Sequence, residues 1–380
     1  MKITGIRTFL ASIGHRSRAL IKVKTDTGIH GWGEAYSIGP DTTVAPIVDY
    51  VAPWFIGEDP RRIEYLMMKT HQKFRFPPGG VGLAAISGLE HALWDISGKA
   101  AGLPVYMLLG GHVRDRVRVY HGIGGATVDE VVARAEELHS KWGFTCFKLS
   151  PFRKNPDTTR WGLVCKAAAE FFEELRRRTP EDWEFAFDPH AKIFEPIRAL
   201  QLADALAPFD PMFYEEPLRP EQTSAWKQLR SQIRVPLATG ECLYTRWEFA
   251  ELMEADGVDI IQPDICVCGG LLEMRKIAAI AEAHYVSIAP HNPMGPLATA
   301  VNLHFAAATH NFKILEYIDP TQNSWRDWVD DPYLPTDGYL ELRDRPGWGI
   351  DIREDAIRDH PYVRWERSTA DGPDGSSRYI

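Results

Sequence analysis

Residues 2–10 alternate apolar and polar side chains, and residues 20–24 do the same. The turn Asp26-Thr27-Gly28 leads into Ile29-His30-Gly31-Trp32-Gly33-Glu34. A period of two marks strands with one buried face, so residues 2–36 predict an antiparallel meander. The period then lengthens. Helical patterns start near Thr43, after Pro60 and at about Leu83, the last running to Ala101 with Ile86, Leu89, Leu93 and Ile96 on one face. Pro60 suits a helix start. Between the second and third helices lies Phe74-Arg75-Phe76-Pro77-Pro78-Gly79-Gly80, read either as a core-covering loop or as a lid over a pocket.

From Val117 short β-rich runs alternate with amphipathic helices. The runs are 117–120, 144–149, 185–188, 212–215, 236–238, 258–261, 285–288 and 313–316. Helical patterns cover about 129–141, 159–178 and 196–207 among the connectors. Strand and helix in alternation imply a parallel sheet. Eight such units over about 200 residues imply a closed barrel. The predicted fold class is therefore α/β, a TIM-like barrel of the (β/α)7β or (β/α)8 kind, because the eighth helix is weakly marked. An α+β capping domain, formed by the meander and its helices, precedes it. The predicted divisions are 1–115 for the cap, 116–345 for the barrel, and 346–380 for a polar, Pro/Gly-rich segment returning to the cap.

Composition narrows the function without naming it. The chain has 380 residues, 44% of them apolar and 25% charged, which is ample for a large core. A net charge of -9 argues against nucleic-acid and anionic-membrane partners. The five cysteines are odd in number and scattered, so no disulfide framework is expected. Cys266 and Cys268 lack a second ligand pair and read as small buried apolar residues rather than zinc ligands. The first residues carry no apolar leader, and no apolar run is long enough to span a bilayer. A cytoplasmic location is the expectation.

The chemistry-bearing residues sit where the predicted strands end. They are Lys148, Asp188 with His190, Glu215, Glu241, Asp264, His291 and Glu316, at intervals of 23 to 27 residues from Asp188 onward. In a barrel of this kind, strand C-termini converge on one mouth. Taken singly, each acid reads as a surface group or a helix cap. As a series, Asp188, Glu215 and Glu241 on adjacent strands would repel one another unless a cation lay between them. An all-oxygen donor set favours Mg2+. By strand alternation Asp188 and His190 face the same side, and Glu216 faces away from Glu215. Asp264 beside His291 would fix the ring tautomer and raise its basicity, making His291 a general base. Three nearby carboxylates would raise the pKa of Lys148, the wrong direction for an imine-forming amine. No Gly-x-Ser-x-Gly elbow is present, and Gly122-Ile123-Gly124-Gly125 lacks the spacing of a phosphate loop.

Over almost its whole length the sequence resembles the enolase superfamily, in its mandelate racemase subgroup, and within that the galactonate-dehydratase-like sugar-acid dehydratases. The resemblance rests on Gly31-Trp32-Gly33-Glu34, Ala92-Leu93-Trp94-Asp95-Ile96-Ser97-Gly98-Lys99, Glu215-Glu216-Pro217 and Gly240-Glu241. It continues in Gln262-Pro263-Asp264, Ala289-Pro290-His291-Asn292-Pro293-Met294-Gly295-Pro296 and Pro346-Gly347-Trp348-Gly349-Ile350. It implies one Mg2+ per subunit on Asp188, Glu215 and Glu241, with His291 as catalytic base and Asp264 as its partner. It implies that Glu316 hydrogen-bonds the substrate carboxylate or enolate, that Lys148 orients that carboxylate, and that His190 protonates a departing 3-hydroxyl. Phe76, Ser150 and Asn292 are weaker substrate-binding candidates. Two departures stand out. Lys148-Leu149-Ser150 replaces the Lys-x-Lys of a two-base racemase, and Pro189 fixes φ between Asp188 and His190. The cap loops at 13–18 and 74–80 would choose the substrate. The implied reaction is dehydration of an aldonic acid to a 2-keto-3-deoxy acid. The alternatives are an epimerase, racemase or cycloisomerase on an acid sugar, or a non-enzymatic binding relative. The implied assembly is a homo-oligomer, octamer or dimer.

Overall fold

The computed structural model describes residues 1–13, 16–36, 39–318, 325–366 and 371–377. The N-terminal alternation forms β1 (Ile3–Ile13), β2 (Arg16–Thr25) and β3 (His30–Ala35), an antiparallel sheet in the order β1-β2-β3. The predicted loop at 13–18 is mostly the end of this hairpin, and its residues 14 and 15 lie outside the described residues. Helices α1 (Val44–Val51), α2 (Ile63–Lys73) and α3 (Gly79–Ala101) pack on the sheet around Ile21, Val48, Leu66, Ile86, Leu89 and Leu93. α3 begins earlier than its periodicity predicts. It starts at Gly79, within the expected loop, and Gly80 lies under Tyr244, where a Cβ would stand 2.7 Å from the phenol oxygen.

β3 and α3 touch backbone to backbone. A Cβ on Gly33 would lie 1.8 Å from the Gly88 carbonyl oxygen, and one on Gly31 would lie 2.1 Å from that of Ala92. The Gly-Trp-Gly spacing is thus a contact requirement rather than a turn.

The barrel follows. After a short α4 (Val105–Leu108) come β4 (Arg116–Gly122), β5 (Cys146–Leu149), β6 (Glu184–Phe187), β7 (Tyr214–Glu215), β8 (Leu237–Thr239), β9 (Ile260–Ile261), β10 (Ser287–Ile288) and β11 (Leu315–Glu316). They pair in parallel from β10 through β9 to β4 and on to β11. The ring closes through a parallel bridge between Ile288 and Phe312, with Lys313 N donating to Ile288 O at 2.7 Å. The connectors are α5 (Val128–Trp142), α6 (Trp161–Arg178), α7 (Pro196–Leu206), α8 (Thr223–Arg230), α9 (Thr245–Glu254), α10 (Leu271–Ala283) and α11 (Pro296–Ala307). Among the described residues this is the (β/α)7β form. α5 shows why the pattern is locally stable: Thr127 and Glu130 make a reciprocal capping box, and Gly143 ends the helix at φ 74°. The lumen is filled by the aromatics Tyr120 and Phe213 together with smaller side chains, among them Cys146, Ala186, Met212, Ala238, Ile260 and Ala289.

The C-terminal segment returns to the cap, as its composition predicts. Trp348 is buried; its indole donates to Trp32 O and its backbone N to Asp95 Oδ1, both at 3.1 Å. Asp95 also accepts from Trp32 N at 3.0 Å and from Lys99 at 2.8 Å. One carboxylate therefore joins strand, helix and returning chain. Ser12 N donates to His360 O at 3.0 Å beside a bridge between Ala11 and Pro361.

Candidate active site

Because the barrel strands are parallel, their C-terminal ends form one rim, and the residues singled out at strand ends meet there. Lys148 at the end of β5 stands among three acids. Its Nζ lies 2.7 Å from Glu215, 3.1 Å from Glu316 and 3.5 Å from Asp188. Burial works against its charge, but Glu215, Glu316, Tyr120 and Asp188 hold its pKa well above the ordinary lysine value. That direction works against an imine-forming role. Gln262 donates to the other oxygen of Glu215 at 2.7 Å.

On the far side of the rim, His291 Nδ1 lies 2.8 Å from Asp264 Oδ2, and its Nε2 faces Glu241 at 3.4 Å. Asp264 also accepts from Cys266 N at 2.8 Å, which fixes the carboxylate that orients the ring. Burial disfavours an imidazolium here, yet Glu241, Asp264 and Glu316 outweigh it and push the ring up to about 10. The charge on Glu241 is the largest of these, and a cation held by Glu241 would relieve it. Tyr36, from the end of β3, meets the His291 ring edge-on at 6.3 Å between centroids.

Two local geometries differ from strand alternation. β6 ends at Phe187, so Asp188 and His190 face the same cavity through a turn rather than a strand. Pro189 ends the ladder. His190 then takes φ 59°, its N donating to Asp188 Oδ1 at 2.7 Å and its ring nitrogen lying 3.5 Å from Oδ2. Glu216, expected to face away, also turns toward the rim. It adopts φ 34°, which breaks the period of two, and it is buried against Thr239 at 3.0 Å and Cys242 at 3.8 Å. Among the described residues, donor atoms of Glu216, Glu241 and Cys242 come within 4.8 Å of one another.

The donor set suits a hard divalent cation. Asp188 and Glu215 stand with Glu316 around a single lysine, and Glu216 and Glu241 bring further oxygen donors together beside Cys242. Burial together with Asp188, Glu316 and Glu241 lifts Glu215 to about 7 despite Lys148, and burial with Glu241 lifts Glu216 well above its usual range. Such uncompensated charge is what a bound cation relieves.

The cavity over these residues is about 680 Å³ and is walled by Lys148, Asp188, His190, Glu241, His291 and Glu316. Three weaker candidates do not reach its wall. Phe76 is 76% exposed on the cap, and the Ser150 hydroxyl accepts from Phe152 N in an exposed turn. Asn292 is buried behind the rim, where its N donates to Glu316 at 2.9 Å and its side chain bonds Thr299. The cavity also recruits Arg16, from the cap loop at 13–18 expected to choose the substrate, together with Tyr36, Lys192, Arg219 and Trp365, which sequence reasoning passes over. Of these only Tyr36 carries a local signal, two residues beyond Glu34 on the alternating strand.

The cap and the rim are fastened together. Glu34 accepts from Gly295 N and Ala298 N at 2.9 Å each, and Arg18 donates to Pro293 O at 3.0 Å. The loop that carries His291 is thus held from above by β2 and β3.

Residues 130–356 match the enolase C-terminal domain-like family, and residues 2–110 match the mandelate racemase / muconate lactonizing enzyme N-terminal domain. A D-galactonate dehydratase of Xanthomonas campestris pv. campestris is 36% identical over 366 residues, 94% of each chain. One from Pectobacterium atrosepticum is 34% identical over 386 residues, 99% of each. A crystal structure from Agrobacterium radiobacter, an enolase provisionally named a galactarate dehydratase and holding sodium and L-malate, superposes with a TM-score of 0.98. It is 51% identical and fully covered on both sides.

Proposed function

The chain belongs to the mandelate racemase / muconate lactonizing enzyme family of the enolase superfamily, and from that premise we propose that it is a Mg2+-dependent hydro-lyase that removes water from a polyhydroxy sugar acid. It is an enzyme, as its dehydratase relatives are. The observation that carries the reading is the pair of imidazoles on opposite sides of one charged rim. His291 is buried and anchored to Asp264, while His190 is half-exposed and seated on Asp188. One is built as a base and the other as an acid.

Asp188, Glu215 and Glu241 would hold one Mg2+ per subunit, with Glu216 close behind. When bound, the ion would neutralise charge that develops on the substrate carboxylate. The remaining work falls to side chains. Lys148, kept cationic, orients that carboxylate. His291 Nε2 takes the proton from C2. The C3–O bond then breaks with its electron pair leaving on oxygen, and His190 supplies the proton that lets the hydroxyl depart as water. The enol that remains takes up a proton and becomes a 2-keto-3-deoxy acid. Glu316 stays ionised beside Lys148 and His291, so it offers acceptors only. We assign it to steadying Lys148 and accepting from a substrate hydroxyl. A racemase would need a second base opposite His291, and Ser150, at the corresponding position, does not reach the cavity.

The test is a panel of aldonic and aldaric acids incubated with enzyme and Mg2+, read as 2-keto acid by semicarbazide. The expected result is 2-keto acid from at least one member, lost on chelation and restored by Mg2+. Deuterium entry at C2 with no 2-keto acid from any member would identify an epimerase instead.

A further inference from the structure

The cavity is lined by basic side chains that the dehydration chemistry does not use. Beside the carboxylate cluster, the same cavity is lined by Arg16, Lys192 and Arg219. Arg219 is committed to Glu221, which accepts from its Nε at 2.5 Å. Arg16 is not neutralised: it makes no ion pair among the described residues, and its Nε is buried without a hydrogen-bond partner. It is held in place by an aromatic ring, with its guanidinium 4.8 Å from the centroid of Trp365. Trp365 comes from the C-terminal segment, which is tied to the same hairpin where Ser17 Oγ donates to Val363 O at 2.5 Å. Lys192, on the turn after His190, is exposed and likewise makes no ion pair among the described residues.

A guanidinium taken partly out of water and left without a counter-ion favours an anion, and its fork of N–H donors matches a carboxylate. The hydroxymethyl end of an aldonic acid would leave that fork unpaired. We propose that Arg16, laid against Trp365 and joined by Lys192, binds a second carboxylate at the far end of the substrate, so that the enzyme acts on aldaric acids, with a carboxylate at each end, rather than on aldonic acids. The inference rests on the sugar-acid dehydratase reading and names the substrate class of that site. Lys148, with the cation that Asp188, Glu215 and Glu241 would hold, would take the reacting end, and Arg16 with Lys192 the distal one. Trp365 is a positioning residue, acting through the arginine it supports.

The experiment compares matched acids that differ only at C6, galactarate with D-galactonate and D-glucarate with D-gluconate. The wild type should favour the aldarate of the accepted configuration by about tenfold or more in kcat/KM, the scale of one charged hydrogen bond. Arg16→Gln and Trp365→Leu should collapse that ratio mainly through KM for the aldarate, and Arg16→Lys should restore part of it. A ratio at or below unity, or one that survives Arg16→Gln, overturns the subsite. Calorimetric binding of the same pairs to His291→Asn with Mg2+ gives a readout independent of turnover. Tighter aldarate binding lost on adding Arg16→Gln supports the subsite even if no acid yields 2-keto acid, and equal binding refutes it. Absence of 2-keto acid from every acid refutes the dehydratase reading alone.

Discussion

Asp264 orients His291, because its carboxylate meets Nδ1 at 2.8 Å and leaves Nε2 facing the cavity, while Glu241 contributes most to the ring's preference for charge. Asp264→Asn keeps the shape but offers an amide where the ring needs an anion. It should lower kcat by about 100-fold or more with little change in KM, by analogy with the loss of an orienting aspartate in a hydrolase triad. A loss confined to KM would assign Asp264 to binding instead. At this scale the sequence is legible where a polar residue closes an apolar strand run, as Lys148, Glu215 and Glu316 do. It is less legible where the backbone leaves the strand. Glu216 reaches the rim only because its φ is 34°, and no side-chain pattern carries that information. Arg16 and Trp365 enter from opposite ends of the chain, so no local spacing could pair them.

Elements explain how the rim is held. β3 and α3 approach so closely that neither Gly31 nor Gly33 has room for a methyl group. Gly33→Ala would drive a Cβ into the Gly88 carbonyl at 1.8 Å, and since that obstacle is backbone it cannot rotate aside. We expect a loss near the upper end of the usual overpacking cost, about 3 kcal/mol, seen as a lower thermal midpoint. Gly5→Ala, where nothing lies within 4 Å, is the control and should melt close to wild type. If both melt alike, the close approach is not a constraint. The strain should also reach the site, because β3 carries Glu34, the acceptor for Gly295 and Ala298 beside the His291 loop. Element type and order are legible from periodicity, since the change from period two to strand-helix alternation falls near Val117. Strand ends are less so: Pro189 halts β6 before Asp188, and the lone alternation rule runs past it.

The whole molecule couples barrel and cap through buried aromatic and imidazole groups. His304 on α11 stacks on Tyr106 at 5.3 Å and meets Trp348 edge-on at 5.4 Å, while its Nδ1 accepts from Tyr106 N at 3.1 Å. Burial lowers its pKa to about 4. The folded value lies below the ordinary value of about 6.5 for an unfolded chain, so the folded state favours the neutral ring. Its contribution is whole above that pH and falls away as pH drops toward 4, at about 1.4 kcal/mol per pH unit. The gap in thermal midpoint between wild type and His304→Gln should therefore narrow from pH 7 to pH 5. A constant gap would mean that the ring protonates as easily folded as unfolded.

If His291 opens the reaction and His190 completes it, the two steps come apart in D2O. The C2 hydrogen of an acid that the wild type dehydrates is followed by proton NMR with Mg2+, alongside 2-keto acid, for His190→Asn and His291→Asn. His190→Asn should exchange the C2 hydrogen while forming little 2-keto acid, and His291→Asn should do neither, with rates down by about 100- to 10,000-fold. Exchange by His291→Asn at the wild-type rate would contradict the assignment of His291 as the base.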